Sequence, residues 1–509
     1  MSWDKDKSLE RIQRRWEARD TEITVTKLSR DMNLENVTLH DGRLIQGAHI
    51  YATVAGSGEL HCLDSDDQAA SAIQRIALWQ AEVARIAKAF DVPVIAFQGA
   101  RVHLLAYRPI DDDAAIARKA ALLGRAITYM TRDAFNPLFE EDKKLNARAA
   151  ADLGETVATR GGTRGDSELL FLGNAANRPA KLLGTSKLVV TSRFMDALGD
   201  QLEHEKIESG DEDAYILRLS VATVEDAIAE DGIDWSLQAS ADRLATELEK
   251  WPIDRFKVSG ATTAIEPTSL SRSNSKLVTA AVVLMDIDGF SAYVDQAESD
   301  TVKRDAILTL DAIRQEMREV LKVDYNGIRI QYQGDNMIGV VHLPNGDEEK
   351  IATAAAEIAA GMQASMSITL PAIVPHAGSL DVAVGVAMDD TVLACLGNYG
   401  RRSALAIGPA ATGAENIQLR LNGKQTGIDK AVFEALPEDI QSLYAWSATA
   451  KAYVADDLSV SKLSRVREAL AANGQRELTS DEHGRFNIGK TTAATAVSER
   501  VRPIRPYAE

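Results

Sequence analysis

LVTAAVVLMDIDG, residues 277–289, has a counterpart earlier in the chain: LIQGAHIYATVAG, residues 44–56, at an offset of 233. Outward from this pair, FQGARVHLLAY (97–107) falls on YQGDNMIGVVH (332–342) at an offset of 235. LGNAANRPAKL (172–182) falls on IGPAATGAENI (407–417), again at 235, and Leu198 on Leu436 at 238. Offsets that rise slowly and in order are the mark of one module written twice with small loop changes.

Each copy reads the same way. A strand of β-branched and apolar residues comes first. A helix follows, with Ile73, Ile76, Val83, Ile86 and Phe90 in the first copy and Ile307, Leu310, Ile313, Met317 and Val320 in the second. Both sets form an apolar stripe of period 3.6. Two short strands then turn at Gln98-Gly99 and Gln333-Gly334, followed by an Ala-rich helix (111–130, 347–365), another strand and a Gly-punctuated hairpin. The order β-α-β-β-α-β predicts an α+β fold of two tandem ferredoxin-like (βαββαβ) domains. The division read from this is 1–43 for an N-terminal helix and connector, 44–219 for the first copy, and 220–276 for a helical connector with a Ser/Thr-rich linker. The second copy takes 277–455, and 456–509 is a small C-terminal extension without a counterpart, a candidate regulatory segment with a helix expected over 459–472.

Composition narrows the function classes. Of 509 residues, 75 are acidic and 57 basic, a formal charge of −18. Such a chain has no electrostatic footprint for nucleic acid or an anionic membrane, so a polyanion must be met at a local site. The longest apolar run, 277–285, is far short of the ~20 residues that cross a bilayer. The charged N-terminal stretch lacks a signal-peptide core, and two cysteines, Cys62 and Cys395, make no disulfide framework. A reducing cytoplasm is the expected location.

The chemistry is divided between the copies. The second has Met285-Asp286-Ile287-Asp288-Gly289-Phe290-Ser291 at the end of its first strand and Gln333-Gly334-Asp335-Asn336 at its hairpin. In this topology Asp286 and Asp335 lie at adjacent ends of neighbouring central strands. Two carboxylates there suit Mg²⁺ or Mn²⁺ with water and phosphate oxygens as further ligands. The first copy has Thr53 and Ala100 instead and cannot hold metal. It has Asn177 and Lys181, four apart and so on one helix face, where the second copy has Thr412 and Asn416. His61, His103 and His342 are isolated and read as structural.

DIDGFS followed by QGDNMIGV resembles the signature of the class III nucleotidyl cyclases, and the resemblance covers about 44–219 and 277–455. It implies formation of a 3′,5′-cyclic nucleotide from a nucleoside triphosphate, with two metal ions on Asp286, Asp335 and the backbone carbonyl of Ile287. It further implies that Asn177 orients the ribose and that Lys181, standing where the family has Arg, meets charge developing on the phosphate. Arg178 is a possible substitute for Lys181, and Arg401 and Arg402 fall where relatives bind triphosphate. The site would form between the copies, an intrachain pseudo-heterodimer, so a monomer suffices; a homodimer with composite sites is the alternative. The opposite site, Thr53, Ala100, Thr412 and Asn416, would be inert.

In the base pocket, Ala96 and Leu170 replace the family's polar adenine readers, and Tyr51 falls on the strand position that lines the base. Apolar replacements remove the hydrogen bonds that select a purine, and a tyrosine can stack on or bond a smaller base. With the C-terminal extension, this is similar to the pyrimidine cyclases of antiphage (Pycsar) systems. The resemblance implies cCMP or cUMP as product, acting on a separate effector protein, and favours UTP over CTP on likeness alone. The alternatives are an adenylate cyclase with an atypical base pocket and a catalytically inactive nucleotide-binding sensor; the intact aspartate pair argues against the sensor.

Overall fold

A computed structural model of the chain describes residues 2–19, 23–54, 60, 63, 65–162, 168–184, 187–199, 202–209, 212–295, 299–375, 377–397 and 402–466. Helix α1 (Lys5–Arg19) precedes the first sheet, whose early strands are β1 (Thr24–Lys27), β2 (Asp41–Thr53), β3 (Val94–Gln98) and β4 (Arg101–Ala106). Strands β5 (Arg148–Gly161), β6 (Glu168–Leu172), β7 (Leu188–Thr191), β8 (His204–Ser209) and β9 (Glu212–Leu217) complete it. Helices α2 (Asp66–Ala89), α3 (Asp113–Tyr129), α4 (Asn174–Lys181) and α5 (Ser192–Leu198) connect them, and α6 (Val221–Glu230) and α7 (Leu237–Lys250) lead to the second half.

The second sheet repeats the plan with β10 (Val258–Ser259), β11 (Ser275–Asp288), β12 (Ile328–Gln333), β13 (Asn336–Val341) and β14 (Asp381–Leu396). Strands β15 (Ser403–Ile407), β16 (Gln425–Ile428), β17 (Ala445–Ser447) and β18 (Ala452–Asp456) follow. Its helices are α8 (Phe290–Asp295), α9 (Asp300–Glu319), α10 (Glu348–Ala364), α11 (Leu370–Ile373), α12 (Pro409–Gln418), α13 (Lys430–Ala435) and α14 (Glu438–Gln441).

Strand order is β3-β4-β2-β5-β7-β9-β8 in one sheet and β12-β13-β11-β14-β16-β18-β17 in the other. The first four strands of each are antiparallel neighbours in the ferredoxin-like order, so the expected βαββαβ pattern is the one adopted. Register confirms the repeat residue by residue. Ala52 lies opposite Val102, and Met285 opposite Met337, which puts Thr53 and Asp286 at equivalent positions.

Alternation along β2 decides which side chains face where. Ala48, Ile50 and Ala52 join the core under α2 and α3, leaving His49, Tyr51 and Thr53 on the other face, the one Ala176 of α4 packs against beside Ile45 and Phe171. The halves close on each other reciprocally. The core around α2 takes in Val392, Ala394, Leu405 and Ile407 from the second half, and the core around α9 takes in Val157, Leu170 and Leu172 from the first. Helix α1 lies on α9, where Arg11 reaches Glu316 at 2.8 Å and Asp324 at 2.9 Å.

Helices α3, α9 and α10 each run into a π-helical turn, Met130–Phe135, Val320–Asp324 and Ser365–Thr369, which hydrophobic periodicity does not foretell. Among the described residues no helix is long and apolar enough to cross a membrane. The C-terminal extension is helical over 460–466; Ser459 stands just before that helix, and residues 467–472 of the one expected lie outside the described residues.

Candidate active site

Met285 and Ile287 of β11 point into the core around α9, so Asp286 between them is turned to the opposite face, toward the first half. Ile287 therefore has only its backbone to offer. The β12–β13 hairpin turns on Gly334, at φ +67, and carries Asp335 to the same place. Burial pushes both half-buried carboxyls above the usual range; for Asp335, which reaches about 7, the Asp286 charge adds to it. The Lys181 ammonium opposes the shift in both. Gln418 of α12 donates its Nε2–H to Asp286 Oδ2 at 2.8 Å. Asp288 is used elsewhere, accepting from the Gly423 backbone N–H at 2.8 Å.

Two carboxyls that repel each other are short of positive charge, and Asn336 Oδ1, next along the chain, is buried without a hydrogen-bond partner. Among the described residues no group of three or more His, Cys, Asp and Glu side chains could hold a metal. An all-oxygen pair that leaves most positions to water or phosphate fits Mg²⁺ or Mn²⁺.

The first half supplies the rest. Gly173 takes φ +130 and lets β6 turn sharply into α4. Asn177 donates its Nδ2–H to Ser291 Oγ across the boundary at 3.0 Å, and its Oδ1 would be 3.5 Å from a Cβ placed on Gly334. Lys181, one turn on, is exposed and acts on both aspartates. Four of the sequence-predicted residues thus converge from opposite halves. Arg178 is half-buried on the same helix. Arg402 is not drawn in: its guanidinium donates to the Leu270 carbonyl in the linker. Arg401 lies outside the described residues.

Tyr51, His103 and Ala96 form one row across β2, β4 and β3. The Tyr51 ring lies flat on His103, centroids 4.4 Å apart and planes 8° from parallel. His103 Nε2 and His49 Nδ1 share a hydrogen bond of 2.9 Å, and Phe171 meets both imidazoles edge-on. Burial holds both histidines neutral, driving His103 down to about 3 and His49 well below its ordinary value. Burial also pushes the Tyr51 hydroxyl up, with Arg101 opposing and Asp335 adding, so the ring sits within reach of the cleft charges. Leu170 is in the core beneath α9, beside Gly161. His103 is therefore not isolated, as its sequence neighbours suggest; only strand pairing reveals its partners.

Sequence reasoning missed Arg314. Its Nε–H donates to the Gly334 carbonyl at 3.0 Å, and its guanidinium lies 4.1 Å over the Tyr332 ring. Glu168 of the first half approaches it at 3.7 Å and Arg329 at 3.4 Å. A signal existed: Arg314 stands four residues after Leu310 on the buried stripe of α9, where a charge needs a reason. Gln418 gave no comparable sign.

At the opposite pseudo-symmetric position, Ala100 and Thr412 line a cavity of only about 70 Å³. Arg101 and Glu415 pair across it at 2.6 Å. An ion pair between the halves stands at that position.

No family profile matches the chain. A protein named uridylate cyclase from Pseudomonas aeruginosa is 25% identical over 466 residues, covering 88% of each chain. A second protein of that name, from a Rhizobium species, is 24% identical over 434 residues, 79% of this chain and 80% of the relative. Among solved structures, a class III adenylyl cyclase-like ATP-binding protein from Pseudomonas aeruginosa superposes with a TM-score of 0.79 at 22% identity, over 91% of this chain and 99% of that one. The chain thus has the fold of the class III nucleotidyl cyclases, with both halves of the pair in one polypeptide, and is related over most of its length to proteins named uridylate cyclase.

Proposed function

We propose that the chain is a nucleotidyl cyclase that converts a pyrimidine nucleoside triphosphate, UTP before CTP, to its 3′,5′-cyclic monophosphate. The reading is carried by one observation: Asn177 of the first half reaches Ser291 and Gly334, beside the two aspartates of the second, and the Lys181 charge acts on both Asp286 and Asp335. The ribose 3′-oxygen bonds to the α-phosphorus as the bond to pyrophosphate breaks. Asp286, Asp335 and the Ile287 carbonyl would hold two Mg²⁺ or Mn²⁺ ions, which supply Lewis-acid stabilisation of the triphosphate and acidify the 3′-hydroxyl. Asn177, its amide fixed by Ser291, orients the ribose. Lys181 brings a cation to the phosphate as charge develops there, and Arg178 is its neighbour on the helix. Catalysis is then positioning and charge stabilisation in a cleft between rigid halves.

The Tyr51–His103 stack supports a small base. It occupies the row that ends at apolar Ala96, and the His103 nitrogen nearest His49 is already bonded. The names of the two relatives agree with UTP. One complete site per chain makes a monomer sufficient, and action of the product on a separate effector in antiviral defence follows the resemblance. ATP is the rival substrate, because the superposing structure is of a protein described as ATP-binding.

The test is incubation with Mn²⁺ and each of ATP, GTP, CTP and UTP, beside Asp335→Asn, with products identified by mass. Cyclic UMP that disappears in the variant is the expected result. Cyclic AMP would overturn the reading of Tyr51, Ala96 and Leu170, and product from the variant would overturn the metal assignment.

A further inference from the structure

Ala149, Ala151 and Val190 face the α3 core, while Ala150 and Val189 face Leu182 just beyond α4. The first sheet therefore has a side turned away from α4 and the candidate active site. On that side a cavity of about 870 Å³ is lined by Arg125, Tyr129, Arg132, Lys144, Lys187 and Arg218. This is the size of a small-molecule site. Its lining has five cations against two carboxylates, Glu141 and Glu203, in a chain whose net charge is −18.

The cations are built in rather than scattered. Arg125 is 7% exposed. It donates from Nη2 to the Leu219 carbonyl at 3.2 Å, and its Nε–H is buried with no acceptor. The Tyr129 ring has Arg125 4.4 Å from its centroid and Arg132 4.7 Å from it. Among the described residues no carboxylate forms an ion pair with Arg125 or Lys187. Arg132, Lys144 and Arg218 do have partners, Asp133, Glu141 and Glu205, but these pairs are solvent-exposed. Exposed pairs are held weakly and can be exchanged for a multivalent anion.

We propose that this cavity is a second ligand site, separate from the nucleotidyl-transfer cleft, that binds a small polyphosphate anion. Several cations spread around one concavity match an anion with several charged groups, and guanidinium forks match phosphate oxygens. The shared chemistry is a di- or triphosphate, free or as part of a nucleotide.

Calorimetric titration of the full chain in EDTA tests it, using inorganic pyrophosphate and ATP in separate arms and sulfate at matched ionic strength as reference. Arg132→Gln/Lys187→Gln alters two exposed side chains, and thermal unfolding verifies its fold. Pyrophosphate binding should survive Lys181→Gln at the other site and weaken about tenfold or more in the double variant. ATP showing the same loss makes the source a nucleotide; pyrophosphate alone makes it the free anion. Equal binding by wild type and double variant, loss in Lys181→Gln alone, equal binding of sulfate, or no binding of either probe would each overturn the proposal.

Discussion

The loop that carries Asp335 hangs on one arginine. Arg314, its side chain 4% exposed, holds the Gly334 carbonyl at 3.0 Å and lies over Tyr332, whose hydroxyl donates back to the Arg314 carbonyl at 2.6 Å. Arg314→Lys keeps the charge and loses the planar fork. A hydrogen bond from a charged group contributes about 1.5–3 kcal/mol, and a desolvated cation over a ring up to about 2 kcal/mol. The two overlap, so the expected loss is about 2–4 kcal/mol, a melting shift of roughly 4–16 °C for a cooperative unit the size of one half. Turnover should fall further, since a reacting group displaced by about 1 Å can cost ~100-fold. Thermal unfolding and cyclase turnover at saturating nucleotide and Mn²⁺ read the two effects. Glu168→Gln, a partner with a third of its side chain exposed, should do much less. If Arg314→Lys melts earlier yet turns over within about twofold of wild type, the β12–β13 ladder alone positions Asp335 and the reasoning fails.

Asp335→Asn should abolish cyclisation while raising stability in EDTA. The folded carboxyl is raised to about 7, so its destabilising effect is full above that pH and fades toward pH 4; an advantage of the variant that does not shrink on acidification refutes this. His49 and His103 have folded values below the unfolded ~6.5, so stability is lost as pH falls through that value, up to about 1.4 kcal/mol per unit per histidine. Of the eight histidines, those two should not titrate between pH 5 and 8 by NMR, and eight ordinary titrations would contradict the buried pair. Arg11→Ala strands Glu316 and Asp324, whose side chains are 2% and 6% exposed, and should cost about 3–5 kcal/mol. Arg11→Met/Glu316→Gln/Asp324→Asn should recover most of it in chemical denaturation, and no recovery would mean that packing of α1, not charge, was lost. Glu415→Ala should leave turnover intact and destabilise by about 1–2 kcal/mol, because it breaks only the pair with Arg101 on the side away from the two aspartates; a large loss of turnover would show that the opposite position takes part in the reaction.

The tandem fold was legible because a repeat constrains two stretches at once. The spacing of Asp286 and Asp335, and of Asn177 and Lys181, could be carried onto strand ends and one helix face. Arg314, Gln418 and the Tyr51–His103–His49 stack were not legible in this way. Their partners lie far off in the chain, and their roles depend on which strands pair and on α9 and α12 crossing the sheet. Arg402 shows the reverse case, since the family resemblance suggested phosphate while its observed partner is the linker carbonyl of Leu270.

From the sequence alone come the duplication, the βαββαβ order and the division of polar residues between the copies, because hydrophobic period and residue identity are local and survive without coordinates. The tertiary structure decided that the two complementary sets come together, that Arg101 and Glu415 pair at the opposite position, and that five cations gather on the far side of the first sheet. Those facts depend on distances between residues remote in the chain, and only the packing of one half's helices into the other half's core sets such distances.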